Sequence, residues 1–196
     1  CPSKRITLKK KIRKDENGNI IPDRTPKQRK NNTKFTFARY MFAFIRKRFG
    51  DLPVWKIAAA QRGMTDDNLI QSTNYKYLDE KGKILDMEGF QVSLGPLALP
   101  LNLRATRDGT LVTITWDDLR DEPSAAPTDR MMVGIFYADY RNTFTLEKET
   151  GATRRDGKCE ITLRDDDGEV CIHPFFARAD NTAFSEDKAI TLPDTE

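Results

Sequence analysis

Leu111-Val112-Thr113-Ile114-Thr115-Trp116 decides the fold. Val112, Ile114 and Trp116 recur at every second position, the two-residue period of a strand with one face buried. The same period extends outward in both directions. Phe90, Val92 and Leu94 alternate, and Leu101 and Leu103 follow Pro96 and Pro100. Residues 132–137, Phe144 with Leu146, and Cys159 with Ile161 and Leu163 continue the pattern. Val170, Ile172 and Phe176 come next, and Ile190 with Leu192 close it. Asp108-Gly109, Asp156-Gly157 and Asp167-Gly168 punctuate these runs as turns. Roughly seven short strands with turn signals about every 8–15 residues predict an antiparallel β-sandwich. The strand–helix alternation of a parallel sheet is absent.

Before residue 89 the period is helical. Thr25-Pro26 is a helix start, with Thr as N-cap and Pro at the first helical position. Phe35, Ala38, Phe42, Ile45 and Phe49 then recur at helical spacing, Phe37, Met41 and Phe44 widen the stripe, and Gly50 stops it. A second helix opens at Pro53 and runs through Trp55 and Ile57 to Ala60, broken by Gly63. Thr65-Asp66-Asp67 caps a third stretch through Leu69 and Ile70 to about Leu78. Residues 5–22 read as a basic β-hairpin turning at Asp15-Glu16-Asn17-Gly18. An isolated hairpin is marginal in water, so this one needs a partner surface. The expected fold class is therefore α+β. A short basic hairpin and two to three helices fill residues 1–88, and an antiparallel sandwich fills 89–196.

Charge is distributed as unevenly as periodicity. Residues 1–62 hold 18 of the 33 Lys and Arg but 4 of the 30 Asp and Glu, a local net of +14. The remaining 15 basic and 26 acidic side chains leave 63–196 at −11. A basic arm that meets something anionic, attached to an acidic body, is the expectation. The stretch 35–49 is the most apolar, yet Arg39, Arg46, Lys47 and Arg48 interrupt it, so it does not read as a transmembrane segment. No basic lead-in followed by an apolar run marks a signal peptide. Cys1 reads either as a lipid-bearing residue or simply as the first residue of the chain, and a cytoplasmic location is expected over a cell-surface lipoprotein. Cys159 and Cys171 alternate in opposite phase with their apolar neighbours, so the expectation is that they do not pair.

Several stretches resemble an uncharacterised bacterial family. The first is Arg24-Thr25-Pro26-Lys27-Gln28-Arg29 followed by Lys34-Phe35. The others are Val92-Ser93-Leu94-Gly95-Pro96-Leu97, Thr113-Ile114-Thr115-Trp116 and the turn Gly151-Ala152-Thr153-Arg154-Arg155-Asp156-Gly157. Ala179-Asp180-Asn181 and Ser185 are similar to the last strands of fibronectin type III-like sandwiches. The resemblance implies a helical segment fused to an immunoglobulin or fibronectin type III-like sandwich, and it implies no activity.

The residue inventory limits chemistry. His173 is the one histidine; it falls out of phase with Val170, Ile172 and Phe176 and is expected to face solvent. A Ser-His-Asp triad, a zinc ribbon and a phosphate-cradling glycine loop find no matching pattern. The run Asp165-Asp166-Asp167-Gly168-Glu169 lacks the glycine that a calcium loop needs at its sixth position, which is Val170, and reads as an acidic turn. Asp117, Asp118, Asp121 and Glu122 beside Trp116 faintly suggest a sugar site, but a solvated loop is the better expectation. No catalytic residue, metal site or cofactor is expected.

What remains is binding. Lys4, Arg5, Lys9, Lys10, Lys11, Arg13 and Lys14 form the candidate partner-binding arm. Phe35, Phe42, Ile45 and Phe49 are the candidate residues that dock the helix on the sandwich. Duplex or single-stranded nucleic acid fits the arm's charge, with Phe35, Phe37 and Tyr40 able to stack. The acidic body repels such a polyanion, so a protein partner or a homo-oligomer is the leading expectation, ahead of nucleic acid and of a carbohydrate-binding sandwich.

Overall fold

The computed structural model describes residues 14–18, 20, 25–118, 120–138, 143–164 and 168–194. The class is α+β: three helices and two antiparallel sheets. The helices are α1 (Pro26–Phe49), α2 (Val54–Ala60) and α3 (Asp66–Asn74), the last followed by a 3₁₀ turn. Thr25 starts α1 with a capping box. Its hydroxyl accepts from the Gln28 N–H at 3.2 Å, and its own N–H donates to Gln28 Oε1 at 2.9 Å. Gly50, at φ 60°, ends the helix, and Lys148 donates to the Phe49 carbonyl at 2.8 Å. That cation sits at the negative pole of the helix.

The strands are β1 (Leu101–Asp108), β2 (Leu111–Asp117), β3 (Arg130–Tyr137), β4 (Phe144–Glu147), β5 (Lys158–Thr162), β6 (Val170–Ala177) and β7 (Ile190–Leu192). One sheet has the order β1-β2-β5 and the other β4-β3-β6-β7. The expected alternation of 90–94 does not become a strand. That segment is instead held by side chains, because Asn74 makes two hydrogen bonds to the Gln91 backbone and Asp187 accepts from Val92 and Ser93. Gly95 then passes so close to the Phe184 carbonyl that a Cβ would overlap it.

Three layers result. One apolar cluster lies between the helices and the four-stranded sheet, and joins Phe42, Ile45, Phe49 and Trp55 to Phe136, Phe144 and Phe175. A second lies between the two sheets, and joins Val112, Ile114 and Trp116 to Ile135, Ile172 and Phe176. The four-stranded sheet is therefore covered on both faces, and every residue of β6 is buried. Phe90, Val92 and Leu94 belong to the helix-side cluster, so one core runs through the 88/89 position.

Sheet coverage corrects one expectation. His173 is fully buried rather than solvent-facing, because the face opposite Ile172 meets the helical layer instead of water. Cys159 and Cys171 are both free and lie in different clusters.

Candidate interaction surface on the first helix

The helix-docking residues separate into two groups. Phe42, Ile45 and Phe49 are buried, with the Phe49 ring 6.0 Å from Phe144 and 6.5 Å from Phe175. Each such side chain contributes about 1.5–3 kcal/mol through removal from water. Phe35 does not dock on the sheets: it is 43% exposed, Phe37 is 42% exposed and Tyr40 is 69% exposed. Only the C-terminal half of α1 reaches the core, since its buried residues begin at Ala38. The N-terminal half lies along α3 and the turn after it. Lys34 covers the Tyr75 ring at 4.6 Å, Lys30 pairs with Glu80, and Gly82 lies against Phe37.

Beside this half runs a groove of about 670 Å³ between α1 and α3. Phe35, Arg39, Tyr40 and Arg46 line it from α1, and Asp67, Asn68 and Gln71 from α3. Arg46 is oriented by Asp67 at 2.7 Å and Asp66 at 3.4 Å. No Asp or Glu occurs anywhere in α1. The groove thus combines aromatic faces, amides and the Arg39 guanidinium, while the Arg46 charge is offset by Asp66 and Asp67. That chemistry suits an anionic partner with an apolar anchor.

Of the basic arm, Lys4, Arg5, Lys9, Lys10, Lys11 and Arg13 lie outside the described residues. Lys14 is exposed and pairs with Ile20 across the Asp15–Gly18 turn, where the Gly18 N–H donates to the Asp15 carbonyl at 3.0 Å.

Two buried polar clusters escaped the sequence reading. In the first, Asp118 is not solvated. Arg154, wholly buried, places Nη1 2.5 Å from Asp118 Oδ2 and Nε 3.3 Å from Asp129 Oδ2. Arg154 also lies 4.2 Å over the Phe176 ring, and its carbonyl accepts from Trp116 Nε1 at 2.7 Å. Burial alone would raise the Asp118 pKa, but the bonds from Arg120 and Arg154 outweigh it and hold the carboxyl at about 2. Trp116 is buried here and offers no sugar-stacking face. The Gly151–Gly157 turn is the frame of this cluster. Gly151 and Gly157 take positive φ, and Thr153 and Asp156 cap each other.

In the second, His173 Nδ1 lies 2.7 Å from Asp187 Oδ2 and Nε2 lies 3.4 Å from Cys171 Sγ. Burial would lower the imidazole pKa, but Asp187 and then Cys171 overcome that and raise it to about 9. The order Cys-His-Asp is that of a nucleophile relay. All three side chains are packed in the interior, however, and Asp187 spends its other oxygen on Val92 and Ser93. The arrangement fastens the segment before β1 to the segment before β7. No signal in the sequence points to this pairing, since Asp187 lies outside any strand in the polar run Glu186-Asp187-Lys188, 14 positions from His173.

Among the described residues no group of three His, Cys, Asp or Glu side chains is placed to hold a metal ion. The acidic run 165–167 lies outside those residues. No described helix is long and apolar enough to cross a membrane. No family model matches the chain. No curated protein matches it. A solved structure described as "Myokine structure" aligns with 51% of this chain and 99% of its own, at 18% identity and a TM-score of 0.37. So distant a likeness carries no argument about fold or function.

Proposed function

We propose that the protein is a non-catalytic assembly module that binds an acidic protein surface through the outer face of α1 and the adjoining groove. The carrying observation is that Phe35 and Tyr40, both lining the groove, stay exposed on a helix without a single carboxylate, while Phe37 lies apart from them against Gly82. Large aromatics left in water beside cations are the composition of an interface centre. The body acts as the rigid scaffold. Its sheet order, β1-β2-β5 against β4-β3-β6-β7, supports a fibronectin type III-like sandwich, a fold that serves binding in many settings. The basic arm at 4–14 adds charge of the same sign and speeds encounter with an anionic partner.

Nucleic acid is the second reading, favoured by the interleaving of these aromatics with Lys and Arg. The net of −11 on residues 63–196 weighs against it. Fluorescence anisotropy of the full chain with labelled poly-glutamate and with oligo-dT separates the two. Binding to poly-glutamate that weakens in Arg39→Glu supports the assembly reading. Binding to oligo-dT alone replaces it with the second.

A further inference from the structure

We infer that the acidic surface met by α1 is supplied by a second copy of this chain, in a head-to-tail contact. This rests on the reading that α1 docks a protein. The complementary surface is one end of the sandwich, where Arg107 ties three chain segments together. Its Nε donates to the Gly109 carbonyl at 2.9 Å, and its Nη1 donates to Gly168 at 2.6 Å and lies 3.3 Å from the Pro193 carbonyl. That staple sets the neighbouring residues Asp108, Glu169 and Asp194 at one end of the molecule, all exposed. Leu111, the cross-strand partner of Asp108, is 41% exposed beside them and provides an apolar contact for Tyr40 or Phe35.

Charge dictates the symmetry. A contact of α1 with α1 sets the cations of one helix against those of the other, with no carboxylate on either helix to offset them. Nor does α1 satisfy Asp108 of its own copy. The helices cover one face of the four-stranded sheet, and β1 lies across its other face. The contact therefore joins two different surfaces, is heterologous, and leaves a free α1 and a free acidic end on every pair. Assembly proceeds past the dimer to a ring or filament.

Sedimentation of the full chain at about 0.05 M and about 0.5 M salt tests this, since surface charge pairs weaken as the screening length shrinks. The helix variant is Arg39→Glu with Tyr40→Ala, and the end variant is Asp108→Lys with Glu169→Lys. All four side chains are exposed, and circular dichroism checks that both variants keep the fold. The wild type is expected to exceed a dimer at low salt and to dissociate at high salt. Each variant alone is expected to be a monomer, and their equimolar mixture is expected to stop at a dimer, because only one productive contact remains. A wild-type dimer that never grows, or variants that fail to complement, overturns the head-to-tail contact. A wild-type monomer that still binds poly-glutamate through α1 overturns the self-contact alone. A monomer that binds only oligo-dT overturns both readings.

Discussion

The guanidinium of Arg154 lies 2.5 Å from Asp118 and has no exposure to solvent, although the two residues are 36 positions apart. Its neighbours complete the shell: Asp129 at 3.3 Å and the Ala98 carbonyl at 2.8 Å. Removing one member of such a set strands the others. Arg154→Met leaves Asp118 and Asp129 short of their buried cation, and the expected loss is about 3–5 kcal/mol. Arg120→Met also removes an Asp118 partner, but from the exposed side. Asp118 keeps Arg154 in that variant, so the loss should be smaller, about 1–3 kcal/mol. Urea denaturation of the two variants compares them, and equal losses would show that the buried cation is not the keystone.

Protonation reaches the same cluster from the acid side. The Asp118 carboxyl is held at about 2, below its ordinary 3.8. A depressed pKa contributes stability that is complete above the unfolded value and disappears as pH falls through the folded one. The contribution, about 2 kcal/mol, should therefore fade between pH 4 and pH 2. Stability measured across that window for the wild type and Asp118→Asn should converge. A constant gap would mean that Asp118 is not the group titrating.

The histidine pair has the opposite sign. His173 is raised to about 9 from 6.5, so its contribution is complete below 6.5 and is lost as pH rises through 9. With one histidine in the chain, its imidazole resonances are free of overlap. A proton NMR titration should place the midpoint on the alkaline side of neutrality, and unfolding free energy should fall over the same interval by up to about 3 kcal/mol. A midpoint near 6.5 would mean that the Asp187 contact does not persist in solution.

These clusters also explain what the sequence did and did not disclose. Helix starts and stops were readable because their chemistry is local: Thr25 with Gln28, Thr65 before Asp66, Gly50 at positive φ. Strands β1 to β7 were readable because one face of most of them is apolar. His173 was not, since a phase argument presumes water on the second face, and here that face meets α1 and its neighbours. Asp118 was misplaced for a related reason. Its partners Arg120 and Arg154 come from a loop and a distant turn, and no spacing along the chain reports a contact between 118 and 154. Phe35 shares the helical spacing of Phe42 and Phe49, yet the sheet ends before α1 does, and periodicity carries no information about where a neighbour stops.

That last distinction yields a paired test. Phe49 is packed between Phe144 and Phe175, so Phe49→Ala leaves a cavity in the helix-side core and should cost about 3–5 kcal/mol. Phe35→Ala removes an exposed ring and should change stability by no more than about 0.5 kcal/mol. Deleting residues 1–62 extends the argument, because it strips α1 and α2 from the four-stranded sheet and uncovers Met132, Phe136, Phe144 and Phe175. An apolar surface of that kind promotes association. The truncated chain should bind a hydrophobic dye and lose solubility relative to the full chain. If it stays as stable and as soluble as the full chain, the helical layer is an appendage to the sandwich and not part of its core.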